Sequence, residues 1–188
     1  MPTGKRSKSN RQTREKMKSF MAGVEVNGQT ILSFLKAAHS HRDTIVRILT
    51  DNRIADPRPG QWYPQQAWLN AFRAIAEEIG PEALYDIGRK IPHAADWPDE
   101  IDSLEKALTS IDTAYHMNHK GGAIGHYLFE KKSEGSGLMV CSEPYPCDFD
   151  RGIIEAVASQ FSANFKLEHR DDTCRKNGDA CCVYQLFW

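Results

Sequence analysis

Cysteine is missing from the first 140 residues of this 188-residue chain; all five thiols, Cys141, Cys147, Cys174, Cys181 and Cys182, fall in the last forty-eight. An odd, one-ended set argues against a disulfide framework and for a metal site or a redox centre. Long apolar runs are missing too. No stretch approaches eighteen consecutive apolar residues, so no membrane-spanning helix is expected. No apolar segment follows the basic N-terminal residues, which therefore do not read as a secretory signal, and the expected location is the cytoplasm. There is no Ser/His/Asp order, no Walker loop and no dinucleotide GxGxxG, since Gly121-Gly122-Ala123-Ile124-Gly125 lacks the strand a phosphate loop needs. No internal repeat is visible. These absences favour a binding module over an enzyme.

Net charge is also close to nil, at -1, but it is unevenly placed. Residues 1–20 carry seven basic side chains against one acid, leaving seventeen basic and twenty-four acidic residues in the remainder. The body is therefore not a nucleic-acid binder by charge; only residues 5–18 offer phosphate-binding groups. Residues 1–20 have almost no apolar periodicity and read as a disordered basic tail, dispensable for folding. Residues 21–188 read as one domain, helical over 28–117 and sheet-forming over 121–188.

Ile31, Leu32, Phe34 and Leu35, then Ile45, Val46, Ile48 and Leu49, predict two short helices broken around His39-Ser40-His41. Residues 55–60 (ADPRPG) form a loop. Pro64 opens a helix whose stripe is Trp68, Phe72, Ile75 and Ile79; Gly80 ends it and Pro81 starts another. Ile101, Leu104, Leu108, Ile111 and Tyr115 mark a further helix. After Gly121-Gly122 the period changes. Ile124–Lys131 and Leu138–Ser142 predict a hairpin around Ser133–Gly137, Asp148 is expected to cap a helix over Phe149–Ala163, and Phe165–Arg170 and Cys182–Trp188 predict two more strands. The fold class is α+β: helices first, then a ββαββ antiparallel unit.

The segment Cys174-Arg-Lys-Asn-Gly178-Asp-Ala-Cys181-Cys182 places Gly178 midway between two thiols, where it lets the chain fold back and bring both sulfurs to one point. Cys147 stands before the expected helix, and Asp171 lies three residues before Cys174. Three thiolates and a carboxylate make a closed tetrahedral set that suits structural zinc. The same cysteines also suit small core residues alternating on a strand.

A hairpin, Pro146-Cys147, a helix, and CxxxGxxxC followed by an alternating aromatic strand together resemble the C-terminal signature of the 4-vinyl-reductase domain family, over roughly residues 121–188. The resemblance implies a fold shared with TRAPP-type vesicle-tethering subunits and with the sensory domains of phenol- and toluene-responsive activators. In the aromatic-sensing members a Cys before the helix, Glu-x-x-Cys, and a Cys eight positions later bind structural zinc. Here Cys147, Asp171, Cys174 and Cys182 take those places. Asp171 departs from the pattern by its shorter reach, and Cys181, Glu168 and His169 are substitutes for the fourth ligand. Ile124, His126, Tyr127 and His169 are the expected ligand-contacting residues.

His116 and His119 sit at a helix C-terminus, where imidazoles bond the last carbonyls, so capping is the simpler role for them than ligand or haem-iron contact. Trp68 belongs to a core stripe, while Trp62 and Trp97, in Pro-flanked loops, read as lids. The expectation is a sensor with an apolar pocket for a small hydrophobic or aromatic molecule, stiffened by zinc and signalling through a partner. A homodimer is expected through the Ile31–Leu49 or Trp68–Ile79 surface. Two alternatives follow from the resemblance: a haem- or tetrapyrrole-binding protein or accessory of a vinyl-reductase-type enzyme, and a TRAPP-like adaptor holding an acyl chain.

Overall fold

Asn27 starts the helical half: its side-chain oxygen accepts the Gln29 N–H at 2.9 Å, satisfying one of the donors that the first turn of a helix leaves open. In the computed structural model, which describes residues 17–38, 41–93, 97–98 and 101–188, helix α1 spans Gly28–Ala37 and α2 Arg42–Asp51. Helix α3 spans Gln65–Glu78, and α4 runs from Pro81 to Gly88. Gly80, at φ 117°, makes the break between α3 and α4 in a conformation that side chains resist. A 3-10 turn follows at Ile91–His93, and α5 spans Leu104–Met117, capped by Ser103. The second half is β4 (Tyr127–Ser133), β5 (Ser136–Cys141), α6 (Cys147–Ala158), β6 (Lys166–His169) and β7 (Cys182–Phe187). These four strands form an antiparallel sheet in the order β4-β5-β7-β6. The α+β layout and the ββαββ order therefore match the expectation.

A second, small sheet does not appear in the sequence pattern. Strands β1 (Glu25–Asn27), β2 (Trp62–Pro64) and β3 (His119–Lys120) pair antiparallel in the order β2-β1-β3. Segments of two or three residues are too short to show a period of two, so only the pairing defines them. Helix α6 also differs from its expected bounds. It begins at Cys147 behind Pro146, without a side-chain cap, and Asp148 instead pairs with Lys176 at 2.6 Å. It ends at Ala158, which leaves Phe161 beyond the last turn and exposed.

Met17 is buried, and Ser19 bonds the side chains of Gln65 and Gln66 on α3, so the packed chain includes residues assigned to the tail. Residues 1–16 lie outside the described ones, as do His39 and Ser40. The apolar faces invoked for a dimer are consumed within the chain. Ile31, Phe34, Ile45, Ile48, Trp68, Phe72 and Ile75 are all buried in its own core, which removes the reason for expecting that interface. No helix among the described residues is long and apolar enough to cross a membrane.

An aromatic chain runs through the core. Phe34, Trp68 and Phe72 pack edge to face at 4.6–5.1 Å, and Phe72 continues to Tyr145 and Phe149 at 5.3 and 4.9 Å. The two halves are locked where α4 crosses α6. A methyl group added at Gly88 would lie 2.3 Å from the Phe149 carbonyl oxygen, and one at Gly152 would lie 2.3 Å from that of Tyr85. Both contacts are with backbone, which cannot step aside. Gly88→Ala is therefore expected to destabilise the fold by about 3 kcal/mol through overpacking. An unchanged urea midpoint would show that α4 does not sit this tightly on α6.

Candidate functional site

Helix α5 presents Ile111, Ala114 and Tyr115 to a cavity that α1, α3, α6 and the Ile91–His93 turn enclose. Its volume is about 60 Å³, and aromatic rings from Trp68, Trp97, Tyr115, Tyr127, Tyr145 and Phe149 make most of its wall. The polar atoms there are mutually satisfied. Tyr115 Oη donates to the Ile124 carbonyl at 2.6 Å, Thr30 Oγ1 to Asn118 Oδ1 at 2.8 Å, and Trp97 Nε1 to Ser110 Oγ at 2.9 Å. His119 Nδ1 meets the Tyr115 carbonyl at 2.8 Å, so that nitrogen carries the proton. Its Nε2 accepts from Tyr145 Oη at 2.7 Å. Burial holds the imidazole neutral, with its pKa lowered to about 4.

The capping role expected of the helix-terminal histidines is realised: His119 bonds the Tyr115 carbonyl, and His116 Nδ1 bonds that of Asp112 at 2.9 Å. His119 also reaches the cavity, a position its spacing did not reveal. Of the expected ligand-contacting residues, Tyr127 lines the cavity, while Ile124 is buried beside it and contributes its carbonyl. His126 does not line it. Side chains alternate across a strand, so with Tyr127 inward His126 faces solvent, near Asp112. His169 lies at the far end of the sheet, among the cysteines.

That second centre draws on four elements. Cys147 opens α6, His169 closes β6, Cys182 opens β7, and Cys174 precedes a 3-10 turn at Arg175–Asn177 that ends on Gly178 at φ 96°. Their ligand atoms all lie within 4.8 Å of one another, and the sulfurs of Cys174 and Cys182 are 3.9 Å apart. The turn aims N–H groups at both sulfurs: Arg175 N and Nε lie 3.4 and 3.3 Å from Cys182 Sγ, and Lys176 N lies 3.4 Å from Cys174 Sγ. A hydrogen bond from Cys147, together with His169 and Arg175, lowers the Cys182 pKa to about 3 against the effect of burial. His169 Nε2 is buried without a hydrogen-bond partner, and its ring stacks on Tyr184 at 4.7 Å.

Asp171, the expected fourth ligand, stays outside this cluster. It lies beyond the end of β6 with its side chain in solvent, and its carbonyl accepts from Asn177 Nδ2 at 3.1 Å. Glu168 points to the solvent face of β6, opposite to His169. Cys181 precedes β7 and is not a member of the cluster either.

Sequence reasoning missed a buried charge cluster between the two centres. The Arg175 guanidinium bonds the carboxylate and carbonyl of Glu143, the Asp150 carboxylate and Cys182 Sγ, while Tyr127 Oη donates to Asp150 at 2.7 Å. Burial raises the pKa of both carboxyl groups, and Arg175 opposes that rise. For Arg175 itself burial favours loss of the proton, but Glu143 and Asp150 more than offset it, and its pKa is raised. The one available signal was Glu143 and Asp150 flanking the apolar Pro144–Cys147 segment, where acids need a partner.

No family model matches the sequence, and no curated protein matches it. Solved structures do match. An H-NOX protein from S. oneidensis in the Fe(II) ligation state, a triple variant, is 14% identical with a TM-score of 0.66, covering 86% of this chain and 95% of its own. An oxygen-binding H-NOX domain related to soluble guanylate cyclases gives 16% identity and 0.61, covering 86% and 94%. A structure described as modulating haem redox potential through protein-induced porphyrin distortion gives 16% and 0.62, with 86% and 94% covered. The fold is that of the H-NOX domains. This overturns the assignment to 4-vinyl-reductase or TRAPP-type domains. That assignment rested on a pattern confined to residues 121–188, whereas the matches cover 86% of the chain, helices and sheet alike.

The buried imidazole has a consequence for stability. The folded state keeps His119 neutral down to about pH 4, whereas the unfolded chain takes up a proton near the ordinary value of 6.5. Between those values the unfolded state binds more protons, so this stability is complete above pH 6.5 and is lost as pH falls toward 4. The loss amounts to about 3 kcal/mol. In urea titrations the difference between wild type and His119→Gln should therefore shrink from pH 7 to pH 4. A constant difference would contradict a buried, neutral His119.

Proposed function

We propose that this chain is a small-molecule-sensing domain whose ligand site is the aromatic cavity and whose C-terminal lobe is held by a structural zinc ion. The His119–Tyr145 hydrogen bond, set in the wall of an otherwise apolar cavity, carries the ligand reading. A ligand hydroxyl would replace Tyr145 Oη as the donor to His119 Nε2, and the rest of the molecule would take apolar contacts from Trp68, Ile111 and Phe149. Small, mostly apolar molecules with one hydroxyl group match this arrangement. The volume of about 60 Å³ is smaller than one aromatic ring needs, so binding requires the wall to yield, and Trp97, held by one hydrogen bond to Ser110, is the side chain placed to move. Occupancy would then be read at α5 and passed to a partner. The adaptor reading falls with the TRAPP resemblance.

Haem is the second reading, favoured by the H-NOX fold and by a buried histidine whose Nδ1 is anchored to a carbonyl, as iron-binding imidazoles are. The residues present do not fit the group. The cavity is several-fold below the roughly 300 Å³ at which cofactor pockets begin. No lysine or arginine among the described lining residues would neutralise propionates. No chemistry is assigned through haem.

The zinc reading rests on the His169 imidazole gathered with three thiols, its Nε2 buried without a hydrogen-bond partner. The Cys174–Cys182 sulfur separation of 3.9 Å is close to the ~3.8 Å edge of a tetrahedron with Zn–S bonds of about 2.3 Å. Cys147, His169, Cys174 and Cys182 form a closed set, with no position left for substrate, and His169 takes the place expected of Asp171. The N–H groups of the Arg175–Asn177 turn support the sulfurs as outer-shell donors.

Two measurements test these readings. Elemental analysis of tag-free protein should find one zinc per chain, retained in Asp171→Asn and Cys181→Ser but lost, with a large fall in Tm, in Cys174→Ser and His169→Ala. Zinc-free wild-type protein would refute the centre. Single-ring aromatic alcohols should give a saturable change in tryptophan fluorescence, because Trp68 and Trp97 line the cavity, and His119→Leu should abolish it. Haemin added to wild type should give no saturable Soret band. One that saturates at one equivalent and disappears in His119→Leu would establish the haem reading instead.

A further inference from the structure

A third set of metal-ligating atoms lies outside both centres. Asp112 and His116 are four residues apart on α5, so they stand on one face of the helix, and His126 reaches the same point from the start of β4. We propose that these three residues form a surface site for a divalent transition cation of the Ni2+, Co2+, Cu2+ or Zn2+ class.

The spacing carries the argument. Asp112 Oδ1 lies 3.3 Å from His126 Nδ1 and 3.5 Å from His116 Nδ1. Metal–ligand bonds of 2.0–2.1 Å in a tetrahedral arrangement give edges of about 3.3 Å, so both Asp112–histidine edges are already close to coordination distance, and the three ligand atoms all lie within 4.8 Å of one another. Its members are also held in place. Asp112 Oδ1 accepts the Tyr127 N–H at 2.8 Å, which fixes the carboxylate, and the two imidazole rings stack at 4.9 Å, 30° apart. The site is reachable, with 28% of the Asp112 side chain, 40% of His116 and 53% of His126 exposed, so water would fill the remaining positions. Two imidazoles and one carboxylate select borderline transition ions; Ca2+ and Mg2+ require oxygen ligands throughout. The buried group of Cys141, Glu143 and Asp150 also brings three ligand atoms together, but the Arg175 guanidinium occupies its two carboxyl groups.

Binding has two local costs. His116 Nδ1 now bonds the Asp112 carbonyl at 2.9 Å and His126 Nδ1 meets Asp112 Oδ2 at 3.3 Å, so coordination through both Nδ1 atoms breaks these bonds and moves each ring proton to Nε2, with no net proton released. In return, the ion would tie α5 to β4 across the wall of the cavity. Tyr127 belongs to both sides of that wall, with its N–H on Asp112 and its ring on the cavity.

The test uses full-length, tag-free protein as purified, titrated with NiCl2 in a buffer that does not coordinate metals. Calorimetry reads the uptake, and bound zinc is measured alongside. One equivalent of Ni2+ should bind at micromolar concentration without displacing zinc. His116→Gln, His126→Ala and Asp112→Asn should each weaken binding at least tenfold while leaving the far-UV spectrum unchanged. Ni2+ uptake that the three substitutions do not alter would overturn the site, whether or not zinc is released. Absence of uptake up to millimolar Ni2+ would overturn it as well.

Discussion

Arg175 is the residue on which the second half of the molecule converges. Its guanidinium joins the loop before α6 through Glu143, α6 itself through Asp150, and β7 through Cys182. A guanidinium suits this position because its planar fork offers several donors and stays charged when buried. The arrangement is costly in the interior, where two carboxyl groups and a cation have left water, and it holds because the one guanidinium bonds both carboxyl groups. Removing the arginine would leave Glu143 and Asp150 buried and unneutralised, a change that costs about 3–5 kcal/mol in comparable settings. The loop, the helix and the sheet can therefore take only one relative position.

The same cluster connects the two candidate centres. Tyr127 lines the cavity and bonds Asp150; Asp150 pairs with Arg175; Arg175 donates to Cys182. A continuous set of hydrogen bonds thus runs from the aromatic wall to the thiols. It supplies a physical contact between the cavity and the thiol cluster, and coupling between them requires one of these links to have two arrangements.

Sharing the H-NOX fold does not bring its chemistry along, because function resides in the residues that line a site. In this chain Tyr145, Phe149, Trp68 and Trp97 fill the interior between the helices, and the histidine that reaches it is engaged on both nitrogens. The frame that encloses a pocket is retained, while the filling sets what can enter. The C-terminal turn acts in the opposite way. There three thiols and the His169 imidazole converge on one point, and His169 Nε2 has no hydrogen-bond partner.

How much was legible in the sequence follows from the range of each interaction. Helices α1 to α5 and the four-stranded unit could be read because amphipathic periods and Pro/Gly stops are local signals. Cys147, Cys174 and Cys182 could be grouped because a glycine at the midpoint of a short segment dictates a return of the chain. The fourth member stayed open between Asp171 and its substitutes Cys181, Glu168 and His169. His169 rather than Asp171 faces the thiols because of which side of β6 turns inward, and that is fixed by pairing His169 with Tyr184 across β7. The short sheet of β1, β2 and β3, the closure of Glu143 and Asp150 on Arg175, and the meeting of Asp112 and His116 with His126 likewise join residues distant along the chain. The sequence by itself determined the elements and the thiol turn. Only the tertiary structure decided which imidazole meets the sulfurs, which meets the cavity and which faces solvent, because strand register and helix packing set those directions and neither is a local property.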